Sequence, residues 1–216
     1  MTAVEICAEE LRRHDHDRFL TTLFARPPAR ARLVALFALN LELARIAESV
    51  KEPMLGEIRL QWWRETLDGV RDGKPREHPV AQALVETGAE TLVNEDAVNA
   101  LIEARKRDLG PAPPVDRAAL ERYAEGTSAT VLTLALDVLE IENSDAREAA
   151  RCIGLAWTLV GTIRSTRFLA QRGRTLYPAA LMKRVGVSSS MLDAAQANQA
   201  VRSAVAEMAA WAREHL

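Results

Sequence analysis

The sequence predicts an all-α fold, and three observations support this prediction. Apolar residues recur at intervals of three and four along most of the 216 residues, the spacing that places them on one face of a helix. Proline and glycine interrupt this pattern at the places where helices are expected to end. A strand would show apolar and polar residues alternating between hairpin turns, and the sequence contains no such run.

The breaks and the apolar stripes between them define the expected helices. The residue before a proline is pushed out of the helical region, so each break ends one helix and allows the next to begin. The breaks fall at 27–28, 52–53, 73–75, 110–114, 177–178 and 185–190. The three clearest stripes are Leu33, Leu36, Phe37, Asn40, Leu41, Ala44 and Ala47; Ile58, Leu60, Gln61, Trp62, Trp63, Glu65, Leu67 and Val70; and Leu132, Ala135, Leu136 and Leu139.

Start and stop signals agree with these helices. Pro53 is suited to the first turn of a helix, and Asn94 is a good N-cap before two acidic residues. Asp145 followed three residues later by Glu148 is the pattern of a capping box. Gly173 favours a left-handed stop for the helix that starts near Asp145.

The stretch 152–163 is apolar on every side of the expected helix. Such a helix belongs in the middle of a bundle with neighbours on each flank. Gly154 and Gly161 would let another helix or a ligand tail approach closely. Trp62 and Trp63 are adjacent and cannot face the same side, so we expect one in the core and the other on a partner surface or in a cavity.

Composition and charge exclude several classes of protein. Lys and Arg number 28 and Asp and Glu number 30, so the net charge of -2 gives no field that would attract nucleic acid. Cys7 and Cys152 cannot form a disulfide framework, which favours a reducing compartment. Apolar runs are too short for a transmembrane span, and the acidic residues within 1–13 are unlike a secretory signal. We expect one cytoplasmic domain that covers residues 1–216.

Clusters of polar residues offer weak candidates for chemistry. His14 and His16 are two apart and would point to different sides of a helix, so Asp15 or Asp17 is better explained as an N-cap than as a metal ligand. Acidic residues four apart share a helix face and could bind Mg²⁺ if two such pairs faced each other, but their polar surroundings favour solvated surfaces. These pairs are Glu5 and Glu9, Asp68 and Asp72, Glu86 and Glu90, and Glu121 and Glu125.

Several segments, taken in order, resemble a known family. They are 30–39, 59–65, 78–80, Tyr123 with 129–131, 153–164, 172–174 and Pro178. From about residue 17 to its end the chain resembles the squalene/phytoene synthase family of head-to-head prenyltransferases. The resemblance implies an isoprenoid-synthase-type helical bundle around a central cavity. The chain ends inside a helical pattern at 209–216 whereas family members usually continue, and in a shorter or C-terminally truncated member one side of the cavity would be open.

The catalytic motifs of that family are degenerate in this chain. Active members carry an Asp-rich motif on each of two facing helices, which together hold the Mg²⁺ ions that bind the substrate diphosphate. The first motif falls at 44–48, where Ala44 and Arg45 replace acids and Glu48 keeps one. The second falls at 165–169, where Ser165 and Leu169 replace acids. The resemblance therefore implies a pseudoenzyme without a metal or cofactor, and Mg²⁺ only if the chain is an active enzyme after all.

Arginines stand where the resemblance places anionic ligands, and they could hold a diphosphate directly. The candidates for binding a diphosphate are Arg30, Arg45, Tyr123, Arg164 and Arg167. Three functions stay open. The first is a non-catalytic scaffold or assembly factor, with or without an isoprenoid or lipid in the cavity. The alternatives are an active prenyltransferase that condenses two prenyl diphosphates in isoprenoid biosynthesis, and a helical interaction module without a ligand.

Within the family, the sequence resembles most the non-catalytic subgroup that includes the mitochondrial complex I assembly factor. The similar segments are 40–43, the paired aromatic residues at 62–63, and 123–125. This resemblance implies a protein partner in respiratory complex assembly and peripheral contact with the inner membrane, without a transmembrane segment and without nucleic acid.

Overall fold

All regular elements are helices in the computed structural model, which describes residues 1–91, 94–194 and 196–216. This confirms the prediction of an all-α fold. A 3-10 turn at Arg107–Leu109 and a π-helical turn at Glu125–Ala129 complete the helical elements. In chain order the α-helices are α1 (Ala3–His14), α2 (His16–Thr22), α3 (Ala29–Ser49), α4 (Pro53–Arg71), α5 (Pro79–Glu86), α6 (Glu95–Lys106), α7 (Arg117–Ala124), α8 (Thr130–Val138), α9 (Ser144–Arg164), α10 (Thr166–Ala170), α11 (Ala179–Val185), α12 (Ser189–Leu192) and α13 (Gln199–Glu214).

Most of the predicted start signals are found where the sequence placed them. Asp15 is the N-cap of α2, where its carboxylate accepts hydrogen bonds from the backbone N–H and the guanidinium of Arg18. The Asn94 side chain accepts from the N–H of Ala97 at 2.9 Å and starts α6. Pro53 is the first residue of α4. These caps satisfy N–H groups that have no partner within the helix.

The start and the length of α9 differ from the prediction. The helix begins at Ser144 rather than after Asp145, and the side chain of Asn143 accepts from the N–H of Ala146 at 2.9 Å. The predicted capping box is therefore wrong, because the amide two residues earlier takes its place. The helix also ends at Arg164, before the separate α10, although Gly173 does adopt the left-handed conformation that was expected of it (φ 69°).

The residues group into two compact units that are interleaved along the chain. The first unit comprises Met1–Leu109 and Thr130–Arg147, and the second comprises Gly110–Ala129 and Glu148–Leu216. The first unit therefore holds α1 to α6, α8 and the first residues of α9. The second unit holds α7, the rest of α9 and α10 to α13. That residues 1–216 form a single domain stays a prediction.

The core of the first unit surrounds α3. This helix contacts α1, α2, α4, α5, α6 and α8, and every residue from Leu33 to Leu41 is buried. A helix that is buried on all sides lies at the centre of a bundle. The apolar pattern had predicted this central position for 152–163 instead.

The buried faces of α4 and α8 are narrower than the stripes that predicted them. On α4 the inner face consists of Leu60, Trp63, Leu67 and Val70, whereas Ile58, Gln61 and Glu65 are exposed. On α8 the buried residues are Val131, Leu134, Ala135 and Val138, so the face is turned away from the predicted Leu132, Leu136 and Leu139.

In the second unit, α9 packs against the π-helical turn on one face and is exposed on another. Gly154, Leu155 and Thr158 are buried, but Ile153, Trp157 and Val160 are 46%, 38% and 45% exposed. The prediction that 152–163 is buried on every side is therefore wrong. Its apolar residues form both an inner face and an exposed apolar face.

Two further features bear on the kind of protein. Each helix in the described residues is too short or too polar to cross a bilayer. The two cysteines are free thiols, Cys7 buried and Cys152 half-buried.

Candidate functional site

The first degenerate motif lies in the last two turns of α3. Ala44 is half-buried and Glu48 is exposed, and these two residues share a helix face because they are four apart. Arg45 is turned from Ala44 by about 100°, the angle between successive residues in an α-helix. The guanidinium of Arg45 lies 3.5 Å from the carboxylate of Glu10 on α1. Arg45 therefore points away from Ala44, whereas Glu48, three residues further on, lies beside Arg45 on the helix surface.

The face that carries Arg45 lines a cleft of about 420 Å³ within the first unit. Four of its residues follow the spacing of one face of α3, three come from α4, and one precedes α5. The lining consists of Glu42, Arg45, Ile46, Ser49, Arg59, Trp62, Trp63 and His78. Ala44 and Glu48 are not part of it.

Three aromatic rings form the floor of the cleft. Trp63 is 3% exposed, and Trp62 is half-buried with its ring at right angles to that of Trp63, the two centroids 5.1 Å apart. The ring of His78 lies 4.9 Å from Trp63 and 5.8 Å from Trp62, both in edge-on geometry. Of the two tryptophans, Trp63 is in the core, as expected of one of them, and Trp62 lines a cleft, which is one of the two places expected for the other.

His78 is held in one tautomer by the backbone. Its Nδ1 accepts a hydrogen bond from the N–H of Val80 at 3.2 Å and caps α5. Because Nδ1 accepts, the proton of the neutral ring is on Nε2. Burial lowers the pKa of His78 below its ordinary value of 6.5, against an opposing effect of the Glu42 carboxylate. The imidazole is therefore neutral at pH 7.

Two guanidinium groups border the cleft. Arg59 donates to the hydroxyl of Ser49 at 2.6 Å, and that hydroxyl donates to the carbonyl of Ile46 at 2.8 Å. Arg45 supplies the second cation. With Glu42 as the single acid among the lining residues and His78 neutral, these residues carry one net positive charge, and Glu10 beside Arg45 lies outside the lining. The cleft offers guanidinium donors for an anion next to a flat aromatic surface.

The second degenerate motif lies in the second unit, where α9 gives way to α10. The Ser165 hydroxyl donates to the carbonyl of Thr162 at 3.3 Å, and Leu169 is half-buried. Arg164 and Arg167 are exposed, and the Arg167 side chain lies 3.9 Å from the Asp193 carboxylate. The hydroxyl and the leucine cannot replace two carboxylates as ligands for a hard cation.

The residues at the two motif positions do not fit Mg²⁺. This ion requires near-octahedral oxygen ligands and usually binds through one or two carboxylates together with substrate phosphates. Glu48 is the single carboxylate at the first position, and the cationic Arg45 follows Ala44 there. Within residues 1–91, 94–194 and 196–216, no group of three or more His, Cys, Asp or Glu side chains is arranged to hold a metal.

The remaining candidates have structural partners. The guanidinium of Arg30 donates to the carbonyls of Leu23 and Ala25, at 2.9 and 3.0 Å, and so satisfies acceptors just after α2. Tyr123 is buried, and its carbonyl accepts from the Thr127 hydroxyl at 2.7 Å inside the π-helical turn. Arg30 and Arg45 belong to the first unit, and Tyr123, Arg164 and Arg167 belong to the second. That these five bind a diphosphate stays a prediction.

Arg59, His78 and Glu42 were not predicted to belong to a site. Arg59 and His78 belong to segments that resemble the family. They are 19 residues apart in the chain, so the sequence alone did not predict that they border one cleft. Glu42 is three residues before Arg45, a spacing that places both on one helix face. That spacing, together with the adjacent tryptophans at 62 and 63, is a sequence signal from which the cleft could have been found.

Comparison with known proteins identifies similar sequences and folds. The family described as squalene/phytoene synthase matches residues 11–216. The chain is similar over 210 residues to NADH dehydrogenase (ubiquinone) complex I, assembly factor 6, with 31% identity to the Bos taurus protein and 29% to the Homo sapiens protein. These alignments cover 97% of this chain and 63% of each relative, so the chain spans less than two thirds of their length.

Two solved structures share the fold. One is a dehydrosqualene synthase in complex with ligand (TM-score 0.80, 18% identity), of which the alignment covers 74%, along with 99% of this chain. The other is squalene synthase HpnC from Alicyclobacillus acidocaldarius (TM-score 0.80, 20% identity), of which it covers 80%, again with 99% of this chain. At these identities the likeness establishes the isoprenoid-synthase fold and nothing about activity.

Proposed function

The chain belongs to the squalene/phytoene synthase family, and we propose that it is a non-catalytic member that acts as an assembly factor or scaffold. The observation that carries this proposal is the set of residues at the two motif positions. Ala44 and Arg45 take the place of acids at the first, and Ser165 and Leu169 do so at the second. Ionising a prenyl diphosphate requires cations that neutralise the departing diphosphate.

Arginine alone is a poor replacement for the metal cluster. A guanidinium can bind a diphosphate oxygen by charge-assisted hydrogen bonds, but that binding also stabilises the substrate before it reacts. Arg45 lies 3.5 Å from the Glu10 carboxylate and lines the cleft, whereas Ala44 and Glu48 do not line it. An active prenyltransferase is therefore the less favoured alternative.

The similar assembly factors suggest the process in which the chain acts. Proteins with 29–31% identity over 97% of this chain are named for the assembly of NADH dehydrogenase. We expect this chain to have a protein partner in the assembly of a respiratory NADH dehydrogenase. We expect it to act in the cytoplasm, in peripheral contact with the inner membrane where such a complex is assembled.

An isoprenoid or lipid ligand is compatible with the same role. The exposed apolar face of α9, formed by Ile153, Trp157 and Val160, offers surface that a prenyl chain could cover. Native mass spectrometry of the protein purified from its own cells tests this addition. A bound prenyl or lipid mass would support it, and its absence would favour a scaffold without a ligand.

The main experiment measures diphosphate release from farnesyl and geranylgeranyl diphosphate, with Mg²⁺ and with EDTA. We expect no release above background, whereas an active family member assayed in parallel should release diphosphate and lose that activity in EDTA. Release by this chain that EDTA abolishes would contradict the proposal, because other acids would then hold the metal.

The assembly role is tested by deleting the gene and following NADH dehydrogenase on native gels. We expect loss of the assembled complex and its restoration by the wild-type gene. Restoration by Glu48→Ala is the matched control, because this variant lacks the last acid at the first motif position. Normal assembly in the deletion strain would contradict the assembly role, and failure of Glu48→Ala alone would point back to an enzyme.

A further inference from the structure

We infer that the cleft between α3, α4 and the start of α5 binds a small aromatic carboxylate, held by Arg45 and Arg59 beside the ring of Trp62. This site goes beyond the proposed function. Its test measures binding alone, so its failure is distinguishable from failure of the assembly role. The inference rests on the position of the cleft, its charge, its aromatic floor and its size.

The lining of this cleft does not include the motif positions 44 and 48. Its α3 residues are Glu42, Arg45, Ile46 and Ser49, which follow one another by three, one and three positions along a single face. Ala44 and Glu48 do not line the cleft. All eight lining residues lie in the first unit, so the site is complete without any residue of the second.

Both guanidinium groups are available to an anion. In the described part of the chain, no carboxylate lies within 4.0 Å of Arg59, whose hydrogen-bond partner is the neutral Ser49 hydroxyl. Arg45 and Glu10 are separated by 3.5 Å, and their side chains are 42% and 40% exposed. An exposed pair of this kind contributes little, so exchanging Glu10 for a ligand carboxylate has a small cost. Guanidinium groups match the two oxygens of a carboxylate in geometry.

The charge of the lining favours a single negative charge. Once a ligand displaces Glu10 from Arg45, Arg45 and Arg59 together with Glu42 leave one net positive charge on the lining, and burial keeps His78 neutral. A diphosphate carries two or three negative charges and would be repelled by Glu42. A monocarboxylate balances the cleft, and its second oxygen can also accept from a neutral donor such as His78 Nε2.

The aromatic floor and the volume of the cleft indicate the uncharged part of the ligand. Trp62 is half-buried and stands edge-on to Trp63 and His78. The Arg76 guanidinium lies over one face of its ring, 5.3 Å from the ring centre, which leaves the other face as apolar surface for a ligand. Aromatic rings prefer offset-stacked or edge-to-face partners, and pairs of this kind add to the gain from buried area. A volume of about 420 Å³ lies within the range of small-molecule sites. A one- or two-ring aromatic acid combines these requirements.

Calorimetric titration with naphthoate tests the inference on the intact chain. Naphthamide, which has the same rings without the charge, is the matched neutral probe, and acetate has the charge without the rings. We expect naphthoate to bind with a Kd below about 1 mM and at least about tenfold more tightly than either control. Pyrophosphate tests the alternative anion, and we expect it to bind more weakly than naphthoate.

Three arginine variants locate the site. Arg45→Gln and Arg59→Gln should each weaken naphthoate binding by about tenfold, the loss typical of one charge-assisted hydrogen bond. Arg13→Gln is the matched control, because Arg13 is an exposed arginine of the same unit that pairs with Glu9 and does not line the cleft. Its affinity should match the wild type, and unfolding curves of all three verify that they are folded.

Four results would overturn the inference. They are equal binding of naphthoate and naphthamide, tighter binding of pyrophosphate, the same loss of affinity in Arg13→Gln as in the cleft variants, and no binding of naphthoate at concentrations of about 10 mM.

Discussion

Gly154 on α9 lies directly against the backbone of Ala129, the last residue of the π-helical turn. A Cβ atom at position 154 would be 2.5 Å from the Ala129 Cα and 2.6 Å from its nitrogen, closer than real Cβ contacts allow. One turn further along α9, the Thr158 hydroxyl donates to that of Ser128 at 2.9 Å. The glycine therefore sets the distance at which α9 and the π-helical turn pack within the second unit.

Gly154→Ala should lower the free energy of unfolding by about 1–3 kcal/mol, the usual cost of overpacking a core. The backbone of Ala129 cannot move aside as a flexible side chain could, so α9 must shift. The measurement is urea unfolding followed by circular dichroism. Gly161→Ala is the control, since nothing lies within 4 Å of a Cβ at that position of the same helix.

In the control, the lower backbone entropy of alanine in the unfolded chain should stabilise the protein by about 0.5–1 kcal/mol. The two substitutions are chemically identical, so opposite signs would isolate the packing effect. Equal effects of the two would show that the close approach at Ala129 has no energetic consequence.

Thr158→Val should cost about 1–3 kcal/mol, because it leaves the buried Ser128 hydroxyl without its donor. Both side chains are less than one tenth exposed, so water cannot take over the hydrogen bond. Thr21→Val is the comparison: its hydroxyl bonds the Arg18 carbonyl at 2.7 Å on the exposed surface, and its loss should be smaller. Stabilities from thermal unfolding that do not differ between the two variants would contradict this expectation.

His78→Asn should reduce the acid sensitivity of the protein. Burial lowers the folded pKa of His78 below 6.5, so the unfolded state takes up its proton at a higher pH than the folded state does. The stability that the neutral ring contributes is present above pH 6.5 and is lost as the pH falls below that value.

Asparagine is a good N-cap and does not titrate, so the variant keeps the start of α5 without the linkage. Urea unfolding at about pH 7 and about pH 5 should show a smaller loss of stability in His78→Asn than in the wild type. Parallel losses in both proteins would assign the acid sensitivity to other groups.

Cys7 should make the protein less stable in alkali. Burial, followed by the nearby carboxylates of Glu42, Glu86 and Glu10, raises the pKa of its thiol from 9.0 to about 12. The unfolded thiol loses its proton near pH 9 while the folded one keeps it, so stability falls as the pH rises from 9 towards 12.

Cys7→Ala removes this group, and its stability should decline less steeply above pH 9. The comparison uses the slope with pH, because the smaller side chain also lowers stability at every pH by leaving a cavity. Iodoacetamide gives a second readout: the half-buried Cys152 should react in the native protein, and Cys7 only after unfolding. Rapid alkylation of native Cys7 would contradict the burial argument.

Helix ends were the most predictable part of the fold. Asp15, Asn94 and Pro53 start helices as expected, because capping depends on a few neighbouring residues. The predicted start of α9 was wrong for the same local reason, because Asn143, two residues before Asp145, caps the helix instead. The replacement of acids at the two motif positions was also predictable, because the identity of a side chain does not depend on packing.

Buried faces were less predictable than helix ends. The pattern of α4 included Ile58, Gln61 and Glu65, which are exposed, because a broad stripe does not say which part of it meets a neighbour. The apolar stretch 152–163 was expected at the centre, yet the helix buried on all sides is α3. An apolar surface can lie against core or remain exposed, and composition alone does not distinguish the two.

By itself the sequence determined the all-α class, most of the helix starts, the family, and the replacement of acids at both motif positions. These properties are local or are carried by residue identity. The tertiary structure alone decided that Arg45 meets Arg59, Trp62 and His78 around one cleft. Those residues come from three elements up to 33 positions apart in the chain. Their meeting is fixed by how α3, α4 and α5 pack, which depends on the shapes of whole buried faces rather than on any short segment.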